Sequence, residues 1–597
     1  MTSRPQSSAA IRERFLDALS ARILVIDGAM GTACQDRDLS DEDFGGEDLA
    51  GCNENLVLTR PDVIRKIHDD YLVAGADCLE TNTFGSTPLV LDEYKLADRT
   101  EELNRVAAEI ARASADAFST IDRPRFVIGS MGPTTRTLTV TGGLTFAEMV
   151  EHYRVQARGL LRGDCDVLLL ETIQDTSNAK AGYLGILAAS EDTGIERPIA
   201  LSATIEPMGT MLAGQTIEAF YASVEHMNPL FIGMNCATGP RFMTDHLRTL
   251  AEISAFPVSC YPNAGLPNED GLYEETPPIL SNTLREFGES GWLNLVGGCC
   301  GTTPAHITEI AQTVATLPPR RYGPQTRSVV SGIDPLLIEE GSYPLIVGER
   351  TNVIGSRRFK KLIKQGAFER GAELGRAQAR GGAHILDVCM ADPDRDENED
   401  MLQFLGLVTR MVKLPLMIDS TDAEVIKNAL ELCQGKSIIN SINLEDGEER
   451  FDLVVPLAKR FGAALVVGCI DEDPEDGMAT TCERKLEIAE RSYDLLVHKF
   501  GIPPGDIIFD PLVFPVGTGD QKYSASASAT IDGVRAIVDR FPECHTILGI
   551  SNVSFGLPPA GREVLNSVFL YHCVQAGLAM AIVNSEKLER YASIPDE

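Results

Sequence analysis

Leu230-Phe231-Ile232-Gly233-Met234-Asn235-Cys236 and Leu293-Asn294-Leu295-Val296-Gly297-Gly298-Cys299-Cys300 decide the fold. Each is an apolar run too short for a helix that ends in Asn or Gly and delivers cysteine at that end, as a buried strand does where it passes into a loop. The same pattern recurs on both sides of them. Apolar runs at 23–27, 76–81, 126–130, 167–171, 199–204, 230–235, 257–261 and 293–298 alternate with helical-period stretches such as 61–74, 99–118 and 146–162. Parallel strands joined by crossover helices read this way, and a count of eight predicts a closed barrel.

After residue 317 the alternation stops in Leu317-Pro318-Pro319-Arg320-Arg321-Tyr322-Gly323-Pro324-Gln325-Thr326-Arg327, the composition of a connector. A second set of runs then follows at 345–349, 384–388, 416–418, 437–442, 464–469, 507–510, 546–551 and 579–583. The expected architecture is α/β, with two (β/α)8 TIM barrels in tandem: one over 1–317, a linker over 318–343 and the second over 344–597. The two halves share no evident repeat, so each barrel is expected to carry its own chemistry.

Lys and Arg total 53 against 87 Asp and Glu, a net charge of -34, which disfavours nucleic acid and anionic membrane as partners. The first residues lack the apolar core of a secretion signal, and no apolar run approaches the length of a membrane span, so the expected location is cytoplasmic. Fourteen irregularly spaced cysteines do not form a secreted disulfide framework, and most are expected to be buried small hydrophobes.

Functional residues of such barrels stand where strands end. Cys236 follows the sixth expected strand, and Cys299 and Cys300 follow the eighth, which puts all three on one rim. Three thiolates can hold zinc and leave a fourth position open for a substrate sulfur. A thiol bound there loses its proton yet stays electron-rich, as alkyl transfer to sulfur requires. A lone cysteine would be better explained as packing, but three converging on one rim favour the metal.

Asp27-Gly28-Ala29-Met30-Gly31-Thr32, Glu80-Thr81-Asn82-Thr83-Phe84, Gly233-Met234-Asn235-Cys236 and Gly297-Gly298-Cys299-Cys300-Gly301 resemble the homocysteine methyltransferase family over roughly residues 15–317. The resemblance implies homocysteine as methyl acceptor and Cys236, Cys299 and Cys300 as zinc ligands. It implies Asp27 and Glu171 as anchors of the substrate amino group, with the backbone at Gly28 and Ala29 facing its carboxylate. Glu80 is a further strand-end candidate.

In the second half, Glu349-Arg350-Thr351-Asn352, Asp387, Asp419-Ser420, Asn440-Ser441, Asp510-Pro511 and Ser551-Asn552 stand at strand ends. Acids and amides with few cations among them suit a neutral heterocycle rich in N–H donors better than a phosphate. This order resembles the pterin-binding barrel family that includes the methyltetrahydrofolate methyltransferases and dihydropteroate synthase. By that resemblance Glu349, Asn352, Asp387, Asp419, Asn440 and Asp510 line a folate site, with Asn552 near the methyl-bearing nitrogen. One departure is Asp387-Val388-Cys389, where the family carries Asp-x-Asn and the amide is replaced by a weakly hydrogen-bonding thiol. The acidic run 392–400 that follows reads as a solvated loop.

In this order the two barrels resemble the amino-terminal half of the cobalamin-dependent methionine synthase family. That implies methyl transfer from 5-methyltetrahydrofolate through cobalamin to homocysteine, giving methionine and tetrahydrofolate. None of the nine histidines stands in the Asp-x-His-x-x-Gly context of a cobalamin module, so methylcobalamin is expected from a missing module or a separate cobalamin-binding protein. The alternatives are a cobalamin-independent enzyme using S-methylmethionine, a pteroate synthase in the second barrel, and a non-catalytic folate- or homocysteine-binding scaffold.

Overall fold

Sixteen strands stand where the sixteen apolar runs lie. The computed structural model describes residues 7–269, 271–518 and 523–584, and the chain divides into two compact units, Met1–Gln325 and Thr326–Glu597. Among the described residues, no helix is long and apolar enough to cross a membrane.

In the first unit the strands are β1 (Leu24–Val25), β2 (Cys78–Glu80), β3 (Phe126–Met131), β4 (Val167–Ile173), β5 (Ile199–Ala203), β6 (Ile232–Asn235), β7 (Val258–Tyr261) and β8 (Leu295–Val296). Each pairs in parallel with its neighbour and β8 returns to β1. A single Ile26–Cys78 bridge joins β1 to β2 and completes the ring. β1 and β8 are shorter than the sequence suggests because Asp27 and Gly297-Gly298 leave the ladder to form the rim.

The floor of this barrel is plugged by a helix the sequence reading overlooked, Ser8–Ala21, which buries Ile11, Phe15 and Leu19 at four-residue spacing. Phe15 is fully buried, 4.4 Å from Phe126 and 6.0 Å from Phe231 between ring centroids. The helices behind the cysteines, Pro240–Ile253 and Pro304–Val314, both open on proline, whose fixed φ starts a helix without wasting an N–H. The loops carrying Cys236 and the Cys299/Cys300 pair are thereby kept short.

The second unit begins with an antiparallel hairpin, β9 (Val329–Ser331) and β10 (Pro335–Leu337). The hairpin lies within the stretch 318–343 expected as a linker. Val330 and Ile338 are buried against Leu345, Val347, Ile438 and Met580, so the hairpin plugs the floor of the second barrel. The barrel strands are β11 (Leu345–Asn352), β12 (Ile385–Cys389), β13 (Leu416–Asp419), β14 (Ile438–Leu444), β15 (Ala464–Asp471), β16 (Ile507–Asp510), β17 (His545–Gly549) and β18 (Met580–Val583), and they close in sequence order.

Candidate active sites at the two barrel mouths

Cys236 leaves β6 with φ 61°, and Ala237 follows at 56°, a left-handed turn that swings the thiol toward the end of β8. Cys300 Sγ lies 4.0 Å from Cys236 Sγ and 4.0 Å from Cys299 Sγ, and all three sulfurs fall within 4.8 Å of one another. Backbone bonds fix the β8 loop. The Cys299 amide donates to Pro262 O (2.8 Å), the Cys300 amide to Asn263 Oδ1 (3.1 Å) and the Ala264 amide to Cys300 O (2.9 Å). Gly301, at φ 77°, admits the Tyr273 ring where a Cβ would lie 2.3 Å from it. All three cysteines are partly exposed, so a ligand can reach them. Hydrogen bonds from Cys236 and Cys299 draw the Cys300 thiol below its ordinary range, while the same coupling pushes Cys299 up and leaves Cys236 at about 12, so the trio shares one thiolate among three sulfurs.

Next to the sulfurs stands a buried group of carboxyls. Asp27, which follows β1, accepts the Glu80 amide on both oxygens (3.2 and 3.1 Å). Glu171 on β4 accepts from Ser130 Oγ and from Asn235 Nδ2 (3.2 Å). Burial, then Glu171 and Asp27, raise Glu80; burial raises Glu171 to about 7. Glu80 Oε1 and the Tyr261 hydroxyl are buried without a hydrogen-bond partner. Three buried carboxyls raise one another's affinity for protons, and such a cluster is chemically suited to a cationic group.

Asn235 organises this region although the sequence reading did not assign it to the site. Its Oδ1 accepts from the Thr172 amide (3.0 Å) and Ser202 Oγ (2.7 Å), and its Nδ2 reaches Thr172 Oγ1 (2.7 Å). Thr172 is held at φ 52°, a conformation that costs a β-branched residue about 1–3 kcal/mol and persists only where its surroundings enforce it. The Ala29 amide, expected to face a carboxylate, instead donates to Thr302 Oγ1 (3.2 Å). At Gly28 a Cβ would lie 2.8 Å from the Tyr71 ring.

In the second barrel Asn352, at the end of β11, ties two acids together, with Nδ2 2.8 Å from Asp387 Oδ2 and 2.9 Å from Asp419 Oδ2. Burial, then Asp419, push Asp387 up, and its Oδ1 is buried without a partner. Burial raises Asp419 to about 6, against hydrogen bonds from Asn352 and Cys389. Asp510 ends β16 and is raised by burial to about 6, with the Leu512 amide on Oδ1 (2.8 Å). Behind it Lys485, fully buried, donates to Ala479 O (2.8 Å) and to Pro511 O, anchoring the Asp510 loop. Glu349 is partly buried on β11, Asn440 ends the Asp419-adjacent stretch of β14, and Asn552 is exposed on the 3-10 turn Ile550–Ser554.

The acidic run does not behave as a solvated loop. Asp392 is 4% and Asp400 2% exposed. Asp392 faces Lys360 and Lys364 (3.4 Å each), and Arg395 grips Asp400 (2.5 and 2.6 Å). These pairs fold the run back to start the helix Glu397–Val408.

Residues 24–314 match the family model of homocysteine S-methyltransferase, and residues 348–584 match that of pterin binding enzymes. Among solved structures, the metallated form of the homocysteine methyltransferase MmuM from Escherichia coli aligns at 24% identity, covering 51% of this chain and 99% of its own, with a TM-score of 0.42. Dihydropteroate synthase from Xanthomonas albilineans, in complex with 7,8-dihydropteroate, aligns at 18% identity, covering 42% of this chain and 92% of its own, with a TM-score of 0.32.

Proposed function

We propose that this chain is a methyltransferase that makes methionine from homocysteine, with 5-methyltetrahydrofolate as methyl source and cobalamin, borne by another domain or protein, as carrier. The observation that carries the reading is the convergence of Cys236, Cys299 and Cys300 beside the carboxyl group of Asp27, Glu80 and Glu171. One rim thus offers a soft-metal site and an ammonium site together, as an amino acid with a thiol side chain needs.

The three sulfurs fit zinc in number, spacing and donor type. Zinc held there supplies the Lewis acidity that lets a fourth thiol lose its proton at neutral pH. The protein's own residues do the rest. Asp27, Glu80 and Glu171 accept the hydrogen bonds of the substrate amino group, Ser130 and Asn235 hold Glu171 in place, and the β8 loop fixes two of the three sulfurs through Pro262 and Asn263. In the second barrel Asp387, Asp419, Asn440 and Asp510 accept from the pterin ring, and Asn552 stands by the methyl-bearing nitrogen. The fourteen free cysteines and the net charge of -34 suit a cytoplasmic protein with no nucleic-acid or membrane partner.

The test supplies homocysteine with either methylcobalamin or S-methylmethionine, and separately supplies cob(I)alamin with methyl-labelled 5-methyltetrahydrofolate. Methionine from methylcobalamin and label transferred to cobalamin are the expected results. Methionine formed from S-methylmethionine alone would contradict the cobalamin route, and ligand binding without turnover would leave a binding scaffold.

A further inference from the structure

Lys485, on the helix Cys482–Tyr493, has no exposed surface, a costly place for an ammonium group. Its stem passes Gly533, where a Cβ would lie 2.7 Å from Lys485 Cδ, and its Nζ stands 5.4 Å from the centre of the Phe514 ring. Its hydrogen-bond partners are carbonyls: Ala479 O (2.8 Å) in the loop after β15, and Pro511 O and Leu512 O (3.4 Å) in the loop after β16. Packing alone would be served at lower cost by methionine.

Two of those carbonyls belong to the turn that aims Asp510. Leu512 is held at φ 65°, in the left-handed region that a side chain disfavours. Its amide donates to Asp510 Oδ1 (2.8 Å), and its carbonyl accepts from Lys485 Nζ and from the buried Thr530 Oγ1 (2.9 Å), so the turn is tied at both ends. With Oδ1 occupied from behind, Oδ2 is the oxygen left for a ligand. Cys469 on β15, Asp510 on β16 and Cys482 on its own helix are the titratable groups that act on the ammonium, and Thr530 and Gly533 border it on the helix Ser526–Arg540. Its charge opposes the burial that raises Asp510.

We propose that Lys485 is a positioning residue of the second barrel: it fixes the Pro511-Leu512 turn from behind and keeps Asp510 ionised, so that Asp510 Oδ2 is presented as an acceptor to a ring N–H of the pterin. The proposal rests on the pterin reading of this barrel. It gives the buried ammonium a task that packing does not.

The test is titration of 5-methyltetrahydrofolate into the full chain at pH values from about 5 to about 8, as wild type and as Lys485→Met, Lys485→Gln, Lys436→Met and Asp510→Asn, the last also combined with Lys485→Met. Lys485→Met should bind about tenfold more weakly at neutral pH, and the midpoint of the pH dependence should rise by about one unit, because Asp510 has lost its counter-charge. Lys485→Gln keeps a donor for the turn without the charge, so it should regain part of the affinity with the midpoint still raised, and it serves where the methionine variant fails to fold. Lys436 is buried at the floor beside Asp506 (2.8 Å), and Lys436→Met, which also removes a buried lysine, should move neither reading. In the Asp510→Asn background Lys485→Met should no longer move the midpoint, which Asp419 also shapes. Weaker binding with an unmoved midpoint in the Lys485 variants would reduce the lysine to packing and overturn the proposal. Wild-type affinity in those variants alongside a loss in Asp510→Asn would overturn it too and leave the pterin reading standing. No binding by the wild type would overturn both.

Discussion

The mouth of the first barrel gathers three sulfurs and three carboxyls, whereas the mouth of the second gathers carboxyls and amides and keeps the nearby thiol of Cys389 buried. Both rims are built from the same parts, parallel strands that stop at Asp, Asn, Glu or Gly. The difference lies in the donors each rim presents. The first presents thiols, the donor type that suits a soft metal, beside buried carboxyls. The second presents carboxyls and amides, with Asn352 joining its two central acids and Asp387 Oδ1 left without a hydrogen-bond partner. The floors differ as well, one plugged by a helix and the other by a hairpin.

The comparison can be broken at the floors first. Phe15→Ala removes a fully buried ring from the helical plug and should destabilise the first unit by about 3–5 kcal/mol, read as an earlier unfolding transition in denaturant. Val330→Ala in the hairpin should cost less, about 1–2 kcal/mol for the smaller side chain. An equal or larger effect at Val330 would mean that the hairpin is the more critical plug.

At the rims, Glu171→Gln should raise the KM for homocysteine about 100-fold, since a charge-assisted bond to the substrate amine is worth about 1.5–3 kcal/mol, while zinc content and folate binding stay unchanged. A change in folate binding would show that the two mouths do not act independently. Asp510→Asn should weaken 5-methyltetrahydrofolate at least about tenfold and leave methyl transfer from methylcobalamin to homocysteine intact.

The smallest effect concerns pH. Burial holds Asp510 and Asp419 near 6, above the ordinary 3.8, so the folded protein binds protons more tightly than the unfolded chain between those values. For a carboxyl raised in this way, stability falls as pH climbs from about 4 to 6, and the penalty is complete above 6. Pterin affinity should move the other way, falling as pH drops through about 6, because protonation turns an acceptor oxygen into a donor. Asp510→Asn should therefore raise the melting temperature by a few degrees at pH 7.5 and leave it nearly unchanged at pH 4. Stability and affinity rising together with pH would contradict this account.

Much of this was legible in the sequence because parallel strands buried on both faces read as unbroken apolar runs, and their Gly, Asn and Asp endings mark the rim. Cys236, Cys299 and Cys300 were placed together on that ground, and the coordinates bring them together. What escaped notice has physical reasons. The Ser8–Ala21 helix carries Ile11, Phe15 and Leu19 at helical spacing, but a single short amphipathic stretch before the first strand does not announce that it plugs a barrel. Val329-Val330 and Pro335-Leu336-Leu337 are short apolar groups set close behind proline-rich sequence, so a hairpin was read as linker. Left-handed φ at Thr172, Cys236 and Ala237 has no signal in residue type, since only glycine advertises it. The run 392–400 was misread because ion pairing with Lys360, Lys364 and Arg395 depends on the fold and not on spacing.

The central claim is that Cys236, Cys299 and Cys300 together hold one zinc ion that activates homocysteine. Zinc content and methylcobalamin-to-homocysteine activity, measured side by side on the wild type and on Cys236→Ala, test it most directly. The account predicts close to one zinc per chain in the wild type and loss of both metal and activity in the variant, with 5-methyltetrahydrofolate binding retained. A metal-free wild type with full activity, or a Cys236→Ala protein that still methylates homocysteine, would contradict it.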